Sequence, residues 1–202
     1  MSSEGDPWAT LPGRLVVISG PSGSGKSTLV RRLLARSDLR VRVSISVTTR
    51  SPRPGEVANR DYIFITPEEF ERKRGDLLES AHVHDHYYGT PALPARLAMA
   101  EGFCVILVID VQGGFQVRQQ VPNVLLVFVQ PPSLEVLESR LRARGTDNDA
   151  TIERRLTNAR REIEAAAGYD VHVINDELEP AVERLAAILK QHGCGTEIKG
   201  QP

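Results

Sequence analysis

Short apolar-rich segments alternate along the chain with segments that have the periodicity of amphipathic helices. The apolar-rich segments favour strands buried on both faces, and they cover residues 15–18, 103–109, 124–129 and 171–174. The segments with helical spacing cover residues 28–37, 95–101, 133–144, 149–167 and 180–191. Strands that alternate with helices predict an α/β fold in which a parallel sheet carries helices on both faces.

The interval between residues 46 and 94 interrupts this alternation. Residues 41–47 alternate between apolar and polar positions, as in a half-buried strand, and residues 48–59 contain two prolines and a glycine, which predicts a loop. A short strand at 62–65 precedes a capping box that starts at Thr66 and predicts a short helix. No regular structure is predicted from the end of that helix to residue 94. We interpret the interval as a small lobe inserted into the α/β core.

Composition sets the size and the charge of the molecule. The chain has 202 residues, of which 41% are hydrophobic, and this is enough for one domain with a substantial core. We place that domain at residues 13–192 and predict disordered tails at 1–12 and 193–202. The 25 basic residues balance the 26 acidic ones to a net charge of −1. Bulk charge therefore predicts neither a nucleic-acid partner nor a membrane-surface partner.

Targeting signals and cysteine usage indicate a cellular compartment. The apolar run at 103–109 is far shorter than the ~20 residues of a membrane span, and the first eight residues lack the apolar core of a signal peptide. Cys104 and Cys194 lie far apart in the sequence and match no disulfide framework or metal-ligand spacing. We therefore expect a soluble protein of a reducing compartment, the cytoplasm.

A phosphate-binding loop lies between the first predicted strand and the first predicted helix. The segment Gly20–Ser27 has the sequence GPSGSGKS, which matches that motif at every fixed position and in the required context. Its glycines let backbone N–H groups turn towards phosphate oxygens, and the following helix presents its N-terminus to the same anion. Lys26 adds a point charge and the Ser27 hydroxyl a Mg²⁺ ligand. The sequence predicts binding of a nucleoside triphosphate with Mg²⁺, since a fortuitous glycine-rich turn seldom has this full match.

Two arginines of the inserted lobe suggest a second phosphate site. Arg50 and Arg53 are three residues apart in a loop stiffened by prolines, and they can form a pair of forks for a dianionic phosphate. Tyr62 and Tyr88 add phenolic hydroxyls that can contact the same oxygens. The ordinary explanation of such a pair is a solvated basic loop. The stiffening prolines and the adjacent Tyr-Tyr-Gly segment favour the phosphate site, so that a kinase becomes the preferred hypothesis.

The motifs taken together resemble the guanylate kinase family. In order from Gly20 to Asp176 they are GPSGSGKST, SISVTTRSPRPGEVANRDYIF, LLES, YYGT, VIDVQG, RLRARGT, ERRL and VIND. The resemblance covers most of the chain, and TTRSPRPGE followed by YYG is much more specific than the phosphate loop alone. It implies a phosphate-loop parallel sheet with a GMP-binding lobe at about 46–94 and a helical lid at about 133–158. It also implies transfer of the γ-phosphoryl group of ATP to GMP, which gives ADP and GDP.

The resemblance also implies roles for residues of the acceptor lobe. The residues that would grip the GMP phosphate are Arg50, Arg53, Tyr62 and Tyr88. Those around the guanine would be Ser46, Glu79, Thr90 and Asp110. The chemistry agrees, because the adjacent N1–H and N2–H₂ donors of guanine suit an ionised carboxylate, and its O6 suits a hydroxyl donor. Adenine reverses this polarity and would leave Glu79 facing a lone pair, which is costly when buried.

On the donor side, the resemblance implies a phosphate cradle and a set of lid arginines. The cradle residues would be Gly20, Pro21, Ser22, Gly23, Ser24, Gly25, Lys26, Ser27 and Thr28. Arg140, Arg144 and Arg155 match arginines that reach the transferring phosphoryl group, and Asn175 matches a position near the adenine. Arg142, Arg154, Arg160 and Arg161 match less clearly, and solvated helix faces explain them.

Two features depart from the family or fall outside it. The family usually carries two aspartates, two residues apart, where this sequence has Val108 and Asp110. The loss of the first aspartate raises the question of how the Mg²⁺ water shell is held on that strand. His82, His84 and His86 alternate and could bind a transition metal, but they fit no closed site of known spacing, and polar lobe residues are the preferred interpretation.

Two alternative functions stay open from the sequence. One is a related small kinase with another phosphorylated acceptor, and the other is a non-catalytic guanylate-kinase-like scaffold that binds a partner protein. The intact phosphate loop and the retained Glu79, Tyr88 and Asp110 favour the enzyme. We expect ATP and Mg²⁺ as co-substrate and metal, GMP as acceptor, no nucleic-acid or membrane partner, and a monomer or homodimer.

Overall fold

The computed structural model describes residues 7–83, 85–143, 145 and 147–196. Its strands are β1 (Arg14–Ser19), β2 (Val41–Val43), β3 (Val47–Thr48), β4 (Ile63–Phe64), β5 (Leu77–Val83), β6 (His86–Pro91), β7 (Cys104–Val108), β8 (Leu125–Gln130) and β9 (Val171–Ile174). Its α-helices are α1 (Lys26–Leu34), α2 (Pro67–Lys73), α3 (Ala92–Ala100), α4 (Val111–Gln120), α5 (Leu134–Arg142), α6 (Asp149–Ala165) and α7 (Leu178–Gln191). Short 3₁₀ turns follow α2 and α6 at Arg74–Asp76 and Ala166–Gly168.

The predicted parallel sheet forms the centre of the molecule. Among the described residues it has five strands in the order β2-β7-β1-β8-β9, and every neighbouring pair is parallel. In β1, Val17 pairs with Leu107 on one side and Leu126 on the other, and all three side chains are buried. Strands covered on both faces need apolar residues at successive positions, which is why the continuous apolar runs identified them.

Helices cover both faces of this sheet and divide the core into two clusters. On one face, Leu29 and Leu33 of α1 pack with Leu185 and Leu189 of α7 against alternate residues of the strands. On the other face, residues of α3 and α4 pack with the remaining strand positions, for example Phe128. The α/β fold class with helices on both faces is therefore confirmed.

The inserted lobe contains a second sheet that the sequence did not predict. Its strand order is β4-β3-β6-β5, and β5 and β6 form an antiparallel hairpin in which Glu79 lies opposite Thr90. The expectation of irregular structure before residue 94 is wrong for this reason. The hairpin strands carry polar and charged residues for the site on one face, and this hides the usual alternation of strand residues.

The predicted strand at 41–47 is split between the two sheets. Residues 41–43 pair with β7 in the central sheet, and Ser44 still donates its backbone N–H to the carbonyl of Ile106. Val47 then pairs with Gly89 of β6 in the lobe. The chain thus crosses from one sheet to the other within a few residues, and this crossing holds the lobe beside the carboxyl ends of the central strands.

Helix α4 was missed because two consecutive glycines lower its helix propensity. Gly114 is required by packing, since a Cβ atom there would lie 2.0 Å from the hydroxyl oxygen of Tyr169. The helix begins where Asp110 accepts a hydrogen bond from the backbone N–H of Gly113 at 2.7 Å. It therefore forms on capping and tertiary contacts rather than on intrinsic propensity.

Both predicted tails differ from expectation where the structure describes them. Trp8 is 8% exposed and belongs to the core cluster under α3, so the expectation of a frayed segment is wrong at this position. At the other end, Gly195 bridges to Leu39 and Cys194 is 1% exposed. Cys194 is bonded to Cys104, which corrects the expectation that the cysteines do not pair. Separation along the sequence could not show that the chain returns to the amino end of β7.

The α-helices of the described ranges contain between 7 and 17 residues. None of them is long and apolar enough to cross a bilayer.

Candidate active site

The phosphate loop connects β1 to α1 at the carboxyl edge of the central sheet. Gly20, Gly23 and Gly25 have φ angles of 147°, 97° and 93°, which side chains other than glycine rarely adopt. A Cβ atom on Gly20 would lie 2.0 Å from the carbonyl oxygen of Val129, so the loop also needs glycine to pack against β8. The left-handed Gly25 directly precedes α1, and the loop therefore ends at the exposed N–H groups of a helix N-terminus.

Lys26 and Asn175 brace this loop. The ammonium group of Lys26 donates to the carbonyl oxygen of Pro21 at 3.0 Å and also to that of Gly20. The buried amide of Asn175 donates to the carbonyl oxygen of Ser24 at 2.7 Å. The structure therefore brings Asn175, predicted near an adenine, into contact with the loop backbone, and this contact fixes the position of the loop relative to β9.

The predicted lid consists of α5 and α6, which pack together through a small cluster of their own. That cluster contains the buried residues Leu137, Leu141, Ile152 and Ala159. Arg155 donates to the hydroxyl of Ser22 in the phosphate loop at 2.9 Å and pairs with Asp147 at 3.1 Å. Arg140 donates to the carbonyl oxygen of Asn175 at 2.9 Å. Arg155 therefore contacts the loop itself, Arg140 contacts the residue that braces it, and Arg144 lies outside the described residues.

A cavity of about 690 Å³ separates the phosphate loop from the lobe. It is bounded by the lobe sheet, the end of β7, the start of α4 and one face of α6. The residues that line it include Ser22, Ser46, Tyr62, Glu79, Tyr88, Val108, Asp110, Asn158, Arg161 and Glu162. Five of the eight residues predicted for the acceptor thus share one cavity with the loop, and they are Ser46, Tyr62, Glu79, Tyr88 and Asp110.

At one end of the lobe, Arg50 is the centre of a polar cluster. Its side chain is buried, and it forms a two-point ion pair with Glu56 at 3.0 and 2.9 Å. Its Nε donates to the hydroxyl of Tyr88 at 3.2 Å, and the guanidinium lies 5.3 Å from the centre of the Tyr62 ring. The ion pair raises the pKa of Arg50 and lowers that of Glu56. The structure thus brings Arg50, Tyr62 and Tyr88 together, whereas the Arg53 side chain is exposed.

At the predicted guanine end, Glu79 lies in a buried hydroxyl network. Its Oε1 accepts from the hydroxyl of Thr90 at 2.7 Å, and that hydroxyl lies 3.4 Å from the hydroxyl of Ser46. Burial raises the pKa of Glu79 to about 7, although the Thr90 hydrogen bond opposes the shift, and the nearby Asp110 charge adds to it. Ser46, Glu79 and Asp110 therefore line the cavity, and Thr90 is joined to them through its hydrogen bond to Glu79.

Two functional candidates were missed by sequence reasoning. Glu162 lies on the cavity face of α6, where burial raises its pKa while the positive charge of Lys26 acts against that shift. The sequence offered one signal for a partly buried carboxylate, since Glu162 directly precedes Ile163 on the apolar stripe of α6. Glu56 lies within one of the motifs of the resemblance, but nothing in the sequence identified Arg50 as its partner. Arg161 lines the cavity although a solvated face was preferred for it.

The strand position of Val108 and the histidines of the lobe were also in question. Val108 lines the cavity, so no carboxylate is present at the site of the missing family aspartate. The ring of His82 lies 4.7 Å from that of Tyr87, and His84 lies outside the described residues. Within the described ranges, no group of three or more His, Cys, Asp or Glu residues could hold a metal ion.

Comparisons with known proteins agree with this geometry. A family model described as guanylate kinase matches residues 12–192. A guanylate kinase from Gloeobacter violaceus is 49% identical over 189 residues, which cover 93% of this chain and 92% of that protein. One from Thermosynechococcus vestitus is 50% identical over 173 residues, with 85% and 90% coverage. The crystal structure of guanylate kinase from Anaplasma phagocytophilum superposes with a TM-score of 0.72 at 33% identity and covers 91% of this chain and 88% of that one. The chain therefore belongs to the guanylate kinase family and is a nucleoside monophosphate kinase of that family.

Proposed function

We propose that this chain transfers the γ-phosphoryl group of ATP to GMP and that the cavity between the phosphate loop and the lobe is where the two nucleotides meet. The observation that carries the proposal is the shared cavity, because Ser22 of the phosphate loop and the carboxylate of Glu79 border the same space. Arg155 of the lid contacts that serine. One side offers backbone amides and a lysine for a triphosphate, and the other offers a carboxylate and hydroxyls for a purine edge. A direct transfer between two bound nucleotides needs this arrangement.

The guanine would bind at Glu79 and its neighbours. The ionised carboxylate would accept from N1–H and N2–H₂ of the base, and the Ser46 hydroxyl would donate to its O6. Thr90 gives its own hydroxyl proton to Glu79 and would hold that carboxylate in place. Asp110 uses one carboxylate oxygen to cap α4, and this contact would hold its side chain beside the base. Adenine would offer no donor to the buried Glu79 carboxylate where guanine offers two, so this side of the cavity would select guanine.

The phosphate of GMP would bind at the arginine end of the lobe. Arg50, Tyr62 and Tyr88 already lie within contact of one another, and the exposed Arg53 side chain can turn towards an arriving anion. The phosphate is itself the anionic nucleophile. The protein therefore has to align it and neutralise charge rather than remove a proton.

The donor triphosphate would lie in the phosphate loop. Lys26 would neutralise its β and γ oxygens, and Arg140, Arg155 and Arg144 would approach from the lid. Closure of the lid against Ser22 would exclude water, which otherwise competes as the acceptor. Asn175, which braces the loop, would lie on the adenine side.

The donor site fits a nucleotide-bound Mg²⁺. Hard oxygen ligands are required, and the exposed Ser27 hydroxyl stands in the first turn of α1 where the loop ends. The carboxylates of Asp110 and Glu162 line the same cavity and can accept from metal-bound water, in place of the carboxylate that Val108 lacks. When bound, the ion would neutralise charge on the transferred phosphoryl group.

We further propose a cytoplasmic enzyme, monomeric or homodimeric, that has no nucleic-acid or membrane partner. The balanced charge of the chain supports this assignment. The structure also joins Cys104 to Cys194 in a disulfide. The pair lies at the amino end of β7, away from the proposed site at the carboxyl ends of the strands.

The experiment is a coupled ADP-release assay with GMP, AMP, UMP and CMP as acceptors in the presence of MgATP. We expect turnover with GMP to exceed turnover with each of the other three. Preference for another acceptor would contradict the guanine assignment. If no acceptor is used and calorimetry detects no MgATP binding, the chain is a scaffold and the proposal is wrong.

A further inference from the structure

The carboxylate of Glu56 joins both arginines of the proposed acceptor-phosphate site. Its two oxygens accept from Nη1 and Nη2 of Arg50 at 3.0 and 2.9 Å. The oxygen that accepts from Nη1, Oε2, also accepts from the backbone N–H of Arg53 at 2.8 Å. The Arg50 and Glu56 side chains are only 10% and 20% exposed, so the pair is shielded from water. One carboxylate therefore fixes the guanidinium of one arginine and the backbone of the other.

A carboxylate at this position carries an electrostatic cost for phosphate binding, since it repels a dianion that binds nearby. This repulsion can be outweighed if the carboxylate holds the N–H donors of Arg50 and Arg53 in the positions that the phosphate needs. Arg50 has five N–H groups, and the bonds to Glu56, Tyr88 and the carbonyl oxygen of Ser51 use four of them. One N–H of Nη2 therefore has no acceptor within the described residues and is left for a ligand.

Tyr88 gains a defined donor direction from the same arrangement. Its hydroxyl oxygen accepts from Nε of Arg50 at 3.2 Å. The hydroxyl proton must then point away from the guanidinium, and no acceptor among the described residues takes it. The phenol consequently presents a donor next to the remaining N–H of Arg50, as a phosphate oxygen requires.

We propose that Glu56 is a positioning residue for the acceptor phosphate, which aligns Arg50 and through it the hydroxyl of Tyr88, and which stays paired with Arg50 when the nucleotide binds. This proposal rests on the proposed function. It assigns to Glu56 a contribution to GMP affinity that depends on the phosphate and not on the base. The opposite mechanism, in which the phosphate displaces Glu56 from the guanidinium, predicts an effect of opposite sign.

The test is Glu56→Gln, which keeps the size of the side chain and removes its charge. We expect the KM for GMP to rise about 10- to 100-fold, because a charge-assisted two-point pair is lost. The kcat and the KM for ATP should change less than about 3-fold, since neither depends on this pair. A KM for GMP that is unchanged or lower would overturn the proposal, and a lower value would identify Glu56 as a competitor of the phosphate.

Guanosine, which has the same base and no phosphate, separates positioning from general damage to the lobe. Its inhibition constant against GMP should be the same in Glu56→Gln as in the original chain. If guanosine binding weakens in parallel with GMP, Glu56 acts on the folding of the whole lobe, and the positioning role is wrong. Glu56→Asp keeps the charge and should restore part of the lost GMP affinity.

The matched control is Asp61→Asn in the same loop. Asp61 accepts from the backbone N–H of Val57 at 2.7 Å and pairs with the exposed Arg60, but it does not contact Arg50. We expect the KM for GMP to be nearly unchanged in this variant. An equal rise in both variants would contradict a specific role of Glu56. Failure of the original chain to use GMP at all would instead refute the proposed function, so the two outcomes are distinguishable.

Discussion

Glu79 accepts the hydroxyl hydrogen bond of Thr90 at 2.7 Å, and yet its pKa is raised to about 7. The hydrogen bond alone would lower the pKa, so the desolvation of a 6% exposed residue dominates, and the Asp110 charge adds to it. Without a ligand the carboxyl group is therefore partly protonated near neutral pH. The proposed guanine contact needs the ionised form, so that binding of the base would be linked to release of a proton.

We predict that guanosine and GMP bind more weakly as the pH falls below 7. The proposed contact requires the carboxylate, and at pH 6 only about one-tenth of the free protein would carry it if the pKa is about 7. The inhibition constant of guanosine should rise about 10-fold per pH unit below the pKa. Guanosine is the better probe because the phosphate of GMP titrates in the same range.

The measurement is the guanosine inhibition constant between pH 5.5 and pH 8 at saturating MgATP. The variant Glu79→Gln should bind guanosine weakly, and its binding should vary little with pH. A guanosine profile that is flat in the original chain would show that the carboxylate of Glu79 does not bind the base.

The same residue should reduce the stability of the free protein. A carboxyl group whose pKa is raised from 4.5 to about 7 on folding binds a proton more tightly in the folded state. Its contribution to the free energy of unfolding is complete below pH 4.5 and is lost as the pH rises through 7. Glu79→Gln should therefore be more stable than the original chain at pH 8, by about 1–3 kcal/mol.

Urea denaturation of both proteins at pH 5 and pH 8, without nucleotide, checks this. The difference in the free energy of unfolding should be small at pH 5 and should favour Glu79→Gln much more at pH 8. Equal differences at the two pH values would mean that desolvation of the Glu79 charge does not cause the difference in stability. The expected gain in stability with loss of base binding is the trade-off typical of functional sites.

Gly114→Ala tests whether packing or helix propensity controls α4. Alanine is favoured over glycine within a helix by about 1 kcal/mol, so propensity alone predicts stabilisation. The new methyl group would overlap the hydroxyl of Tyr169, which donates to Ser19 at 2.8 Å in the buried core. Overpacking of this kind typically costs about 1–3 kcal/mol, and we expect net destabilisation.

Gly75→Ala is the control, because a Cβ atom there meets nothing within 4 Å and its backbone needs no positive φ. Thermal unfolding should show a lower Tm for Gly114→Ala and an unchanged or slightly higher Tm for Gly75→Ala. An increase in Tm for Gly114→Ala would mean that Tyr169 moves aside without cost.

These residues also show how far the sequence could be interpreted. The central strands were predicted because burial on both faces leaves a continuous apolar run, and the phosphate loop because its backbone conformation requires glycines at fixed places. Helix α4 was missed because the glycine at position 114 is required by close packing against Tyr169, which is 55 positions away in the sequence. The hairpin of β5 and β6 was missed because site residues such as Glu79 replace the apolar pattern.

The same limit applies to the candidate site. Residues proposed to face the ligands, such as Arg50, lie in distinctive motifs, and the sequence could therefore suggest them as candidates. Glu56 acts through Arg50, and Glu162 reaches the cavity from a helix that is distant in sequence. Their roles depend on distances between side chains, and no pattern along the chain contains that information.

The lid provides the last prediction, in the pair Arg155→Ala and Arg154→Ala. Arg155 contacts Ser22 of the phosphate loop and Asp147, whereas the adjacent Arg154 is exposed on α6. If Arg155 neutralises charge on the transferred phosphoryl group, its loss should lower kcat by about 10²- to 10³-fold. The KM for GMP should change little, because the acceptor phosphate is proposed to bind at the lobe, away from Arg155.

Steady-state kinetics of the two variants, with calorimetry of MgATP binding, distinguish catalysis from simple loss of charge. Both substitutions remove one positive charge from the same turn of α6, so a long-range electrostatic effect would act on both alike. We expect Arg154→Ala to retain nearly the full kcat. If the two variants lose activity equally, or if Arg155→Ala changes only the KM for GMP, the contact between Arg155 and Ser22 does not bring this arginine to the transferred phosphoryl group.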